Sequence, residues 1–366
     1  MKDNIKLAFA ATEKEWDSII PKLVETENVK NYVLYGKDNL YPEYLYSLFS
    51  DVTTLQTIIE GTADYVTGND VKCNVSGFNN EINTKGDTMR ELVRLCARDF
   101  LIYGGFTINV IRNKVGDVRE LYYIDFRYIR SSKKNDLFWY SEDFGKKYIR
   151  NSKTVVYPKF IPEARDVASS ILYVKNNKTT TYPIPRYSGS IKACEIEKKI
   201  DTYHLASLEN GFAGSYIFNF LNGIPTDEVK REIEKNITEK FCGASNSGRI
   251  LINFANGADN AAKIEKLEAE DFGEKYESLA KRSKEQIFTA FRAQPILFGM
   301  MKENNGFSQD EYLQAFAIYN RTVVKSVADT IIEAIDKIFG IKNSVKITPF
   351  SVEVADDTLT DKEVVS

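Results

Sequence analysis

The stretch Asp271–Gly299, DFGEKYESLAKRSKEQIFTAFRAQPILFG, decides the fold. Its first part has apolar side chains near helical spacing, at Phe272, Tyr276, Leu279, Ile287 and Phe291. This pattern predicts a long helix over Asp271–Phe291. The residues Gln294-Pro295 that follow end it, because proline cannot continue a helix.

A second long helix is predicted upstream, over Ser190–Phe212, with Asn210-Gly211 as its stop. Between the two helices the pattern predicts a compact lobe in the order β-α-β-β. Its elements are the strand Tyr216–Leu221, a helix from the capping residue Thr226 to Phe241, and the strands Arg249–Phe254 and Lys263–Leu267.

Downstream of Gly299, Met300–Ser308 is predicted to be a flexible polar loop, and a very long helix is predicted over Asp310–Phe339. At 1.5 Å per residue this helix would be about 45 Å long. Its apolar stripe comprises Leu313, Phe316, Ala317, Val323, Val324, Val327, Ile331, Ile335 and Ile338. Gly340 ends it, Val345–Phe350 is predicted to be a strand, and the acidic residues 353–363 to be a frayed tail.

The first 187 residues are predicted to form an α+β domain. Helical spacing marks Glu43–Thr67, which Gly68 stops, and Thr88–Leu101, with Leu92, Leu95, Cys96 and Phe100 facing inward. One antiparallel sheet is predicted from β-branched and aromatic runs at Phe106–Arg112, Val118–Asp125, Asp136–Trp139 and Thr154–Phe160.

Composition and charge narrow the class of protein. Of the 366 residues, 43% are hydrophobic and 28% are charged, which is typical of a globular chain. The net charge of −3 provides no overall positive field for binding nucleic acid, so any contact with DNA must be local. The four cysteines form no CxxC pair and His204 is the only histidine, which argues against zinc or disulfide frameworks and favours a reducing compartment. We expect no cofactor, no signal peptide and no membrane span.

The order of parts resembles the portal proteins of tailed bacteriophages, and three local motifs agree. Ala290–Gly299 resembles that family's helix exit, with an aromatic residue, a proline, an apolar pair and a glycine. Phe220–Pro225 resembles its asparagine-glycine-proline turn, and Phe241–Arg249 resembles its glycine-asparagine-glycine-basic turn. The chain is short for the family, with no room after Gly340 for a large helical crown.

The resemblance implies an α+β, portal-like subunit with several domains. These are an α+β wing, a two-helix stem, a small α/β clip lobe and a long C-terminal helix. The expected parts are the wing 1–189, stem helix 190–212, clip lobe 213–269, stem helix 270–292, tunnel loop 293–309, long helix and strand 310–352, and tail 353–366.

The resemblance also implies a homo-oligomeric ring of about twelve subunits around double-stranded viral DNA, which it would contact without sequence specificity. Residues expected to narrow the channel lie in the tunnel loop: Met300, Met301, Lys302, Glu303, Asn304 and Asn305. A plain surface connector is the alternative for this loop. Lysines and glutamates alternate on both stem helices and fit solvated faces at least as well as phosphate contacts.

Partner proteins follow from the same resemblance. The clip turn Ser245-Asn246-Ser247 is expected to dock the terminase large subunit and later a head–tail adaptor, although it can also be an ordinary hairpin tip. Contact with the major capsid or scaffolding protein is expected as well. The protein would lie at one capsid vertex of the virion and would assemble in the host cytoplasm.

The sequence gives little support for a catalytic site. Gly243–Gly248 follows a helix and precedes a strand, which is the reverse of a P-loop. Glu268, Glu270 and Asp271 lie where a helix begins, and His204 has no recognisable catalytic partner and is better explained by packing or an interface. We expect no enzyme. A nucleic-acid-processing enzyme and another capsid or adaptor protein remain the alternatives.

Overall fold

The computed structural model describes residues 21–28, 31–144, 154–209, 216–220, 223, 225–241, 250–254, 272–300 and 309–351. Their contacts divide the chain into two compact units. The larger unit comprises Met1–Lys192 and Gln286–Ser366, and the smaller unit comprises Ala193–Glu285. Each contains helices and strands, so the fold is mixed, as the sequence predicts.

The structure contains eight α-helices in the described ranges. They are α1 (Tyr41–Asp51), α2 (Thr53–Thr67), α3 (Met89–Tyr103), α4 (Ile191–Glu209), α5 (Asp227–Phe241), α6 (Phe272–Phe291), α7 (Gln309–Tyr319) and α8 (Lys325–Phe339). A π-helical turn at Asn320–Val324 joins α7 to α8.

The strands of the described ranges are short. They are β1 (Glu25–Glu27), β2 (Val33–Tyr35), β3 (Asp70–Cys73), β4 (Gly105–Arg112), β5 (Val118–Ile124), β6 (Ile129–Ser131), β7 (Leu137–Tyr140), β8 (Val155–Pro158), β9 (Ser169–Lys175), β10 (Tyr216–Phe220), β11 (Ile250–Phe254) and β12 (Val345–Thr348). The orders β5-β4-β9 and β6-β7-β8 form two antiparallel sheets, and β1–β2, β3–β12 and β10–β11 form pairs.

The prediction of one antiparallel sheet before residue 187 is wrong, because two three-stranded sheets are found there. In the first, Asn109 of the central strand β4 pairs with Tyr122 on one side and Ile171 on the other. The sequence pattern also did not predict β1, β2, β3, β6 and β9. Four of these have three or four residues, too few for an alternating pattern, and the apolar residues of β9 are consecutive, which does not separate a strand from a helix.

The predicted single helix over Glu43–Thr67 is also wrong, since the chain breaks at Val52 into α1 and α2. Val52 is extended (φ −107°, ψ 105°), and its N–H donates to the Leu48 carbonyl to close α1. The run Val52-Thr53-Thr54 is β-branched, which lowers helix propensity. Leu48, Val52 and Leu55 are all buried, so the apolar stripe continues through the break and the periodicity does not reveal it.

Helix α3 confirms the prediction over Thr88–Leu101. Thr88 and Glu91 form a capping box, in which the Glu91 N–H donates to the Thr88 hydroxyl at 3.2 Å, and Gly104 ends the helix at φ 85°. Leu92 and Cys96 are buried as predicted, whereas Leu95 and Phe100 are only partly buried. Asp99 is buried instead. It accepts hydrogen bonds from the Tyr123 hydroxyl (3.0 Å) and the Phe126 N–H (3.1 Å), and burial raises its pKa.

The predicted helix Asp310–Phe339 is present as α7, the π turn and α8. Its stripe is buried from Val323 to Ile338, but Leu313 is only partly buried and Ala317 is exposed, contrary to the prediction. A π turn inserts one residue and shifts the phase of the helix. A stripe drawn with one continuous period therefore fits α8 and misplaces part of α7.

The chain after α8 continues within the larger unit as strand β12. This strand is shorter than the predicted Val345–Phe350 and pairs antiparallel with β3, with Val345 opposite Cys73. Asp336 on α8 holds the connection by accepting from the Asn343 N–H (2.8 Å), the Ser344 N–H (2.8 Å) and the Ser344 hydroxyl (2.6 Å). Partial burial opposes ionisation of Asp336, but these hydrogen bonds prevail and lower its pKa.

Replacing Asp336 with asparagine is expected to lower the free energy of unfolding by about 1–2 kcal/mol at neutral pH, because an amide NH₂ would face one of the two backbone donors. The lowered pKa means that this stabilisation is present above the ordinary Asp pKa of about 4 and is lost as pH falls through the lowered value. Urea unfolding over a pH series should show the two proteins converging in acid. Asp329→Asn, at an exposed position on the same helix, is the control, and an equal loss there would contradict the account.

The segment before α1 is fastened to sheet β6-β7-β8 by a buried arginine. Arg130 on β6 is 0% exposed and donates to both the side-chain oxygen and the carbonyl of Asn39, each at 2.6 Å. It also donates to the carbonyls of Arg127 (2.7 Å) and Ile129 (2.9 Å). Burial lowers the pKa of its guanidinium. Neutral oxygens thus satisfy this buried cation.

The smaller unit contains a parallel β-α-β arrangement. Strands β10 and β11 pair in parallel, with Tyr216 opposite Ile250, and α5 connects them. The Thr226 carbonyl accepts the N–H of Lys230 at 3.0 Å where α5 begins, and Asp227 lies in its first turn, where a negative charge favours the helix dipole. The predicted strand Lys263–Leu267 lies outside the described residues.

Candidate channel and docking elements

Helices α4 and α6 are the elements predicted to form a pair, and side-chain contacts join them in each unit. In the larger unit, the Ser190 hydroxyl before α4 donates to the Gln286 carbonyl of α6 at 3.0 Å, and the Tyr187 and Phe291 rings stack at 5.5 Å. In the smaller unit, the Tyr203 and Tyr276 rings stack at 4.9 Å. In the larger unit α6 thus contacts the segment just before α4, and in the smaller unit it contacts α4 itself.

His204 lies beside this aromatic stack. Its ring centroid is 6.1 Å from that of Tyr276 and 5.8 Å from that of Tyr203, and the side chain is exposed. Two aromatic neighbours and no neighbouring nucleophile among these contacts agree with a packing or interface histidine, as the sequence suggests.

Charged side chains on α4 and α6 lie mostly at exposed positions, including Lys192, Lys199, Lys281 and Arg282. Glu197 is an exception, at 4% exposed. A solvated face therefore describes most of these charges but not Glu197. Buried Cys194 lies one turn before it, and burial raises the pKa of that thiol to about 12, which keeps it protonated and unreactive.

Helix α6 ends in a compact C-terminal turn. The Ala293 N–H donates to the Phe288 carbonyl (2.9 Å), and the Arg292 N–H donates to the Thr289 carbonyl (3.0 Å). Arg292 is left-handed, with φ 54°, at the position where glycine is usual. A short 3₁₀ turn, Pro295–Phe298, follows and ends at Gly299 with φ 78°.

This turn is anchored to α2 and α7 within the larger unit. The Tyr65 hydroxyl of α2 donates to the Leu297 carbonyl at 2.9 Å, and the Phe298 ring meets Tyr319 edge-on at 5.7 Å. The Tyr319 hydroxyl lies 2.7 Å from the Thr62 hydroxyl, and burial raises the pKa of Tyr319 to about 12. The turn Pro295–Phe298, at the start of the predicted tunnel loop, is therefore held against α2 and α7.

Because Gly61 on α2 has no side chain, the Phe298 ring can approach this helix closely. A Cβ atom at this position would lie 2.9 Å from Cε1 of Phe298, so Gly61→Ala is expected to displace the ring and lower the free energy of unfolding by about 1–2 kcal/mol. We also expect faster proteolysis within residues 300–308, because their anchor is loosened. Thermal melting and limited proteolysis would check both effects. Gly189→Ala, where a Cβ meets nothing within 4 Å, is the control, and equal behaviour of the two variants would refute the anchoring role.

The structure places only one of the predicted site residues. Met300 is 39% exposed, and its N–H donates to the Pro295 carbonyl at 3.2 Å. The other predicted tunnel-loop residues, Met301, Lys302, Glu303, Asn304 and Asn305, lie outside the described residues, as do the clip residues Ser245, Asn246 and Ser247. Both groups remain predictions.

Two exposed arginines near the base of this loop were not predicted as site residues. Arg292 belongs to the helix-exit motif, and Arg186 lies just before the residue that stacks on Phe291. Surrounding protein atoms partly desolvate the Arg186 guanidinium and lower its pKa; Tyr319 opposes this shift, and the positive charge of Arg292 adds to it. The sequence did contain one signal for Arg292: it is a basic residue directly after the last apolar residue of a helix and shortly before Pro295.

Metal ligands and reactive cysteines do not form a site in the part of the chain that the structure describes. Within those ranges, no three His, Cys, Asp or Glu side chains are grouped so as to hold a metal ion. Cys73, Cys96 and Cys194 are free and buried, whereas Glu268, Glu270 and Asp271 lie outside the described residues. Among the helices of the described part, none combines the length and apolar character needed to cross a bilayer.

Comparisons with known proteins agree over most of the chain. The family described as "Phage portal protein" matches residues 78–356. A "Probable portal protein" of Haemophilus phage HP1 (strain HP1c1) is 24% identical over 259 residues, which cover 70% of this chain and 71% of the relative.

Among the solved structures that share this fold are chains of gene transfer agent particles. A chain of the "Virion of native gene transfer agent (GTA) particle" has a TM-score of 0.54 and 15% identity, covering 87% of this chain and 84% of that chain. A chain of the "Neck of native GTA particle computed with C12 symmetry" has a TM-score of 0.54 and 14% identity, covering 92% and 87%. At these identities the likeness concerns the fold.

Proposed function

The chain belongs to the phage portal protein family, which is structural and non-enzymatic, and we propose that it forms a closed ring at one capsid vertex. Viral DNA would enter the capsid through this ring during packaging and leave through it during ejection. The observation that carries the proposal is the order of elements: helix α4, the β-α-β unit, helix α6, an anchored turn, and the long helix α7–α8.

The proposed domains follow that order. Residues 1–189 form the wing, 190–212 and 270–292 the stem helices, and 213–269 the clip lobe. Residues 293–309 form the tunnel loop, 310–352 return to the wing, and 353–366 form a tail. The pairing of β12 with β3 supports the return, because it joins the chain after the long helix to the strand that follows α2.

The proposed ring contains about twelve copies related by rotation, so that each subunit uses two different surfaces against its neighbours. One structure with the same fold is a particle neck computed with C12 symmetry. With a net charge of −3 per chain, the ring as a whole would repel phosphate. Double-stranded DNA of any sequence could then slide through it, with only local contacts to its backbone.

The tunnel loop is proposed to narrow the channel. Met300–Asn305 combine flexible and polar side chains and follow Gly299, whose left-handed conformation redirects the chain. The anchored turn Pro295–Phe298 gives each copy of the loop the same starting point. Copies in a symmetric ring would therefore surround the DNA at one level.

Deleting residues 302–306 tests the loop. We expect particles that still assemble but retain less DNA, because the constriction is removed while the anchored turn remains. The DNA content per particle measures this outcome. Replacing the same five residues with a flexible glycine-serine segment of equal length is the matched control for loop length. Unchanged packaging and retention in both variants would refute the tunnel-loop role.

Partner proteins are proposed to dock on the clip. Ser245-Asn246-Ser247 would contact the terminase large subunit during packaging and a head–tail adaptor afterwards, while the wing would meet the major capsid or scaffolding protein. The ring would assemble in the host cytoplasm and remain in the virion. Serine-to-arginine substitutions at 245 and 247 should weaken co-purification with terminase without changing ring formation. If co-purification with terminase is unchanged, the clip turn is not the docking site.

The portal role itself is tested by removing the chain from the cells that produce the particles. We expect capsids without DNA or tails, because the gate and the attachment point are both missing. Supplying the intact chain from a second gene should restore filled, tailed particles. DNA-filled, tailed particles made in the absence of the chain would contradict the proposal.

A further inference from the structure

We propose that Arg292, together with Arg186, binds a backbone phosphate of the DNA at the end of stem helix α6. This inference rests on the proposed portal function and adds a specific contact to it. The predicted tunnel loop begins a few residues further on. The contact would hold the duplex loosely where each stem helix ends.

The first observation is the backbone of Arg292. Its φ of 54° is left-handed, which costs an L-residue with a Cβ atom energy that glycine avoids. Glycine, or less often asparagine, normally occupies this position after a helix. An arginine held in a disfavoured backbone conformation, and exposed, indicates that its side chain has a use outside the fold of the monomer.

The second observation is a second arginine beside the first. Tyr187 and Phe291, the chain neighbours of Arg186 and Arg292, stack with 5.5 Å between their ring centroids. Both arginines are exposed, and in the described part of the chain neither has a carboxylate within ion-pair distance. The positive charge of Arg292 lowers the pKa of Arg186, so the two charges repel each other, and an anion near both would reduce that repulsion. The arginine fork matches phosphate in shape and charge.

Stabilisation of the α6 helix dipole accounts for the positions of Arg292 and Arg186 less fully than a bound phosphate does. A positive charge at the end of α6 favours the dipole, but any position in the last turn would serve, and that turn has no basic residue. The dipole also does not explain why Arg186 lies next to Arg292. A carboxylate of a neighbouring subunit is the other anion to test, and failure of ring assembly would reveal it.

The test uses the whole chain with Arg292→Gly and Arg292→Lys. Glycine removes the charge and also the backbone strain, whereas lysine keeps both. Purified assemblies would be titrated with short double-stranded DNA over a range of salt concentrations, and melting temperature and assembly size would be measured in parallel. Arg119→Gln, an exposed arginine on β5, is the charge control.

We expect Arg292→Gly to melt at the same or a higher temperature and to bind DNA roughly threefold more weakly or worse at moderate salt. The slope of log affinity against log salt should be shallower by about 0.9 for each phosphate that the variant no longer neutralises. Arg292→Lys should retain most of the binding. Weaker binding with a preserved melting temperature is not what a purely structural arginine would give.

Three results would overturn the inference. DNA binding by Arg292→Gly equal to that of the wild type and of Arg119→Gln would exclude a phosphate at this arginine. Absence of rings in Arg292→Gly, with folded subunits, would assign the arginine to a neighbouring carboxylate. Equal weakening by Arg119→Gln would show a general charge effect. If the intact wild-type assembly neither binds nor packages DNA, the result contradicts the proposed portal function itself and not only this contact.

Discussion

Replacing Arg130 with methionine is expected to lower the free energy of unfolding by about 3–5 kcal/mol. The guanidinium is fully buried and donates to four oxygens: two of Asn39, at 2.6 Å each, and the carbonyls of Arg127 and Ile129. Methionine fills much of the space but donates to none of them. The Asn39 side-chain oxygen still accepts from the Tyr35 N–H, whereas the three carbonyls lose a donor. Buried acceptors without donors cost about 1–3 kcal/mol each, and removing a buried charge offsets part of that destabilisation.

Urea unfolding of the purified variant would measure this change in stability. Arg119→Met, at an exposed position on β5, should change stability by less than about 0.5 kcal/mol. Arg130→Lys should fall between, because one ammonium group cannot reproduce the fork of bonds to Asn39. If Arg130→Met were as stable as Arg119→Met, the segment before α1 would not depend on this arginine.

Gly68→Ala is expected to destabilise the larger unit by about 3–5 kcal/mol. Gly68 follows α2 with φ 64° and ψ −161°, a region open almost only to glycine. A Cβ atom there would lie 2.1 Å from the Thr348 carbonyl oxygen, which is backbone and cannot turn away. The substitution would therefore push strand β12 away from β3, at the point where the chain returns from the long helix.

Gly77→Ala is the control for a glycine of positive φ that has no close neighbour. Gly77 also has positive φ, 88°, but a Cβ atom there meets nothing within 4 Å. It should cost about 1 kcal/mol, the conformational part alone. Thermal melting of both variants, with proteolysis after residue 340, would measure the difference. Equal destabilisation would mean that the close approach of β12 to Gly68 does not matter.

The helices were largely predictable from the sequence because their signals are local. A capping box starts α3, left-handed glycines end α3 and α8, and an apolar stripe marks α8. The break at Val52 and the π turn at Asn320–Val324 were not predictable in this way, because the apolar pattern continues through both.

The sheets and buried polar groups were harder to predict. Strand β6 has three residues, Ile129–Ser131, and contains a buried arginine that composition alone would place in solvent. Its partner Asn39 is 91 residues away in sequence, so no local pattern connects the two. Asp99 is similar, since its partners Tyr123 and Phe126 lie beyond the next strand.

The order of the candidate channel elements along the chain could be predicted from the sequence. The long helices and the turn after Pro295 occur where the sequence indicates. The proximity of Arg186 to Arg292 depends on the stack of Tyr187 on Phe291, which no local pattern predicts. Charge patterns along one helix do not reveal which residues of another segment lie beside them. The role of the tunnel loop and of the clip turn remains a prediction.

The measurement that tests the ring most directly is the mass of the purified protein, together with electron microscope images of single particles. The account predicts a closed ring of about twelve subunits with a central hole. A compact monomer that persists at high concentration, and also in the presence of capsid or scaffolding protein, would contradict it.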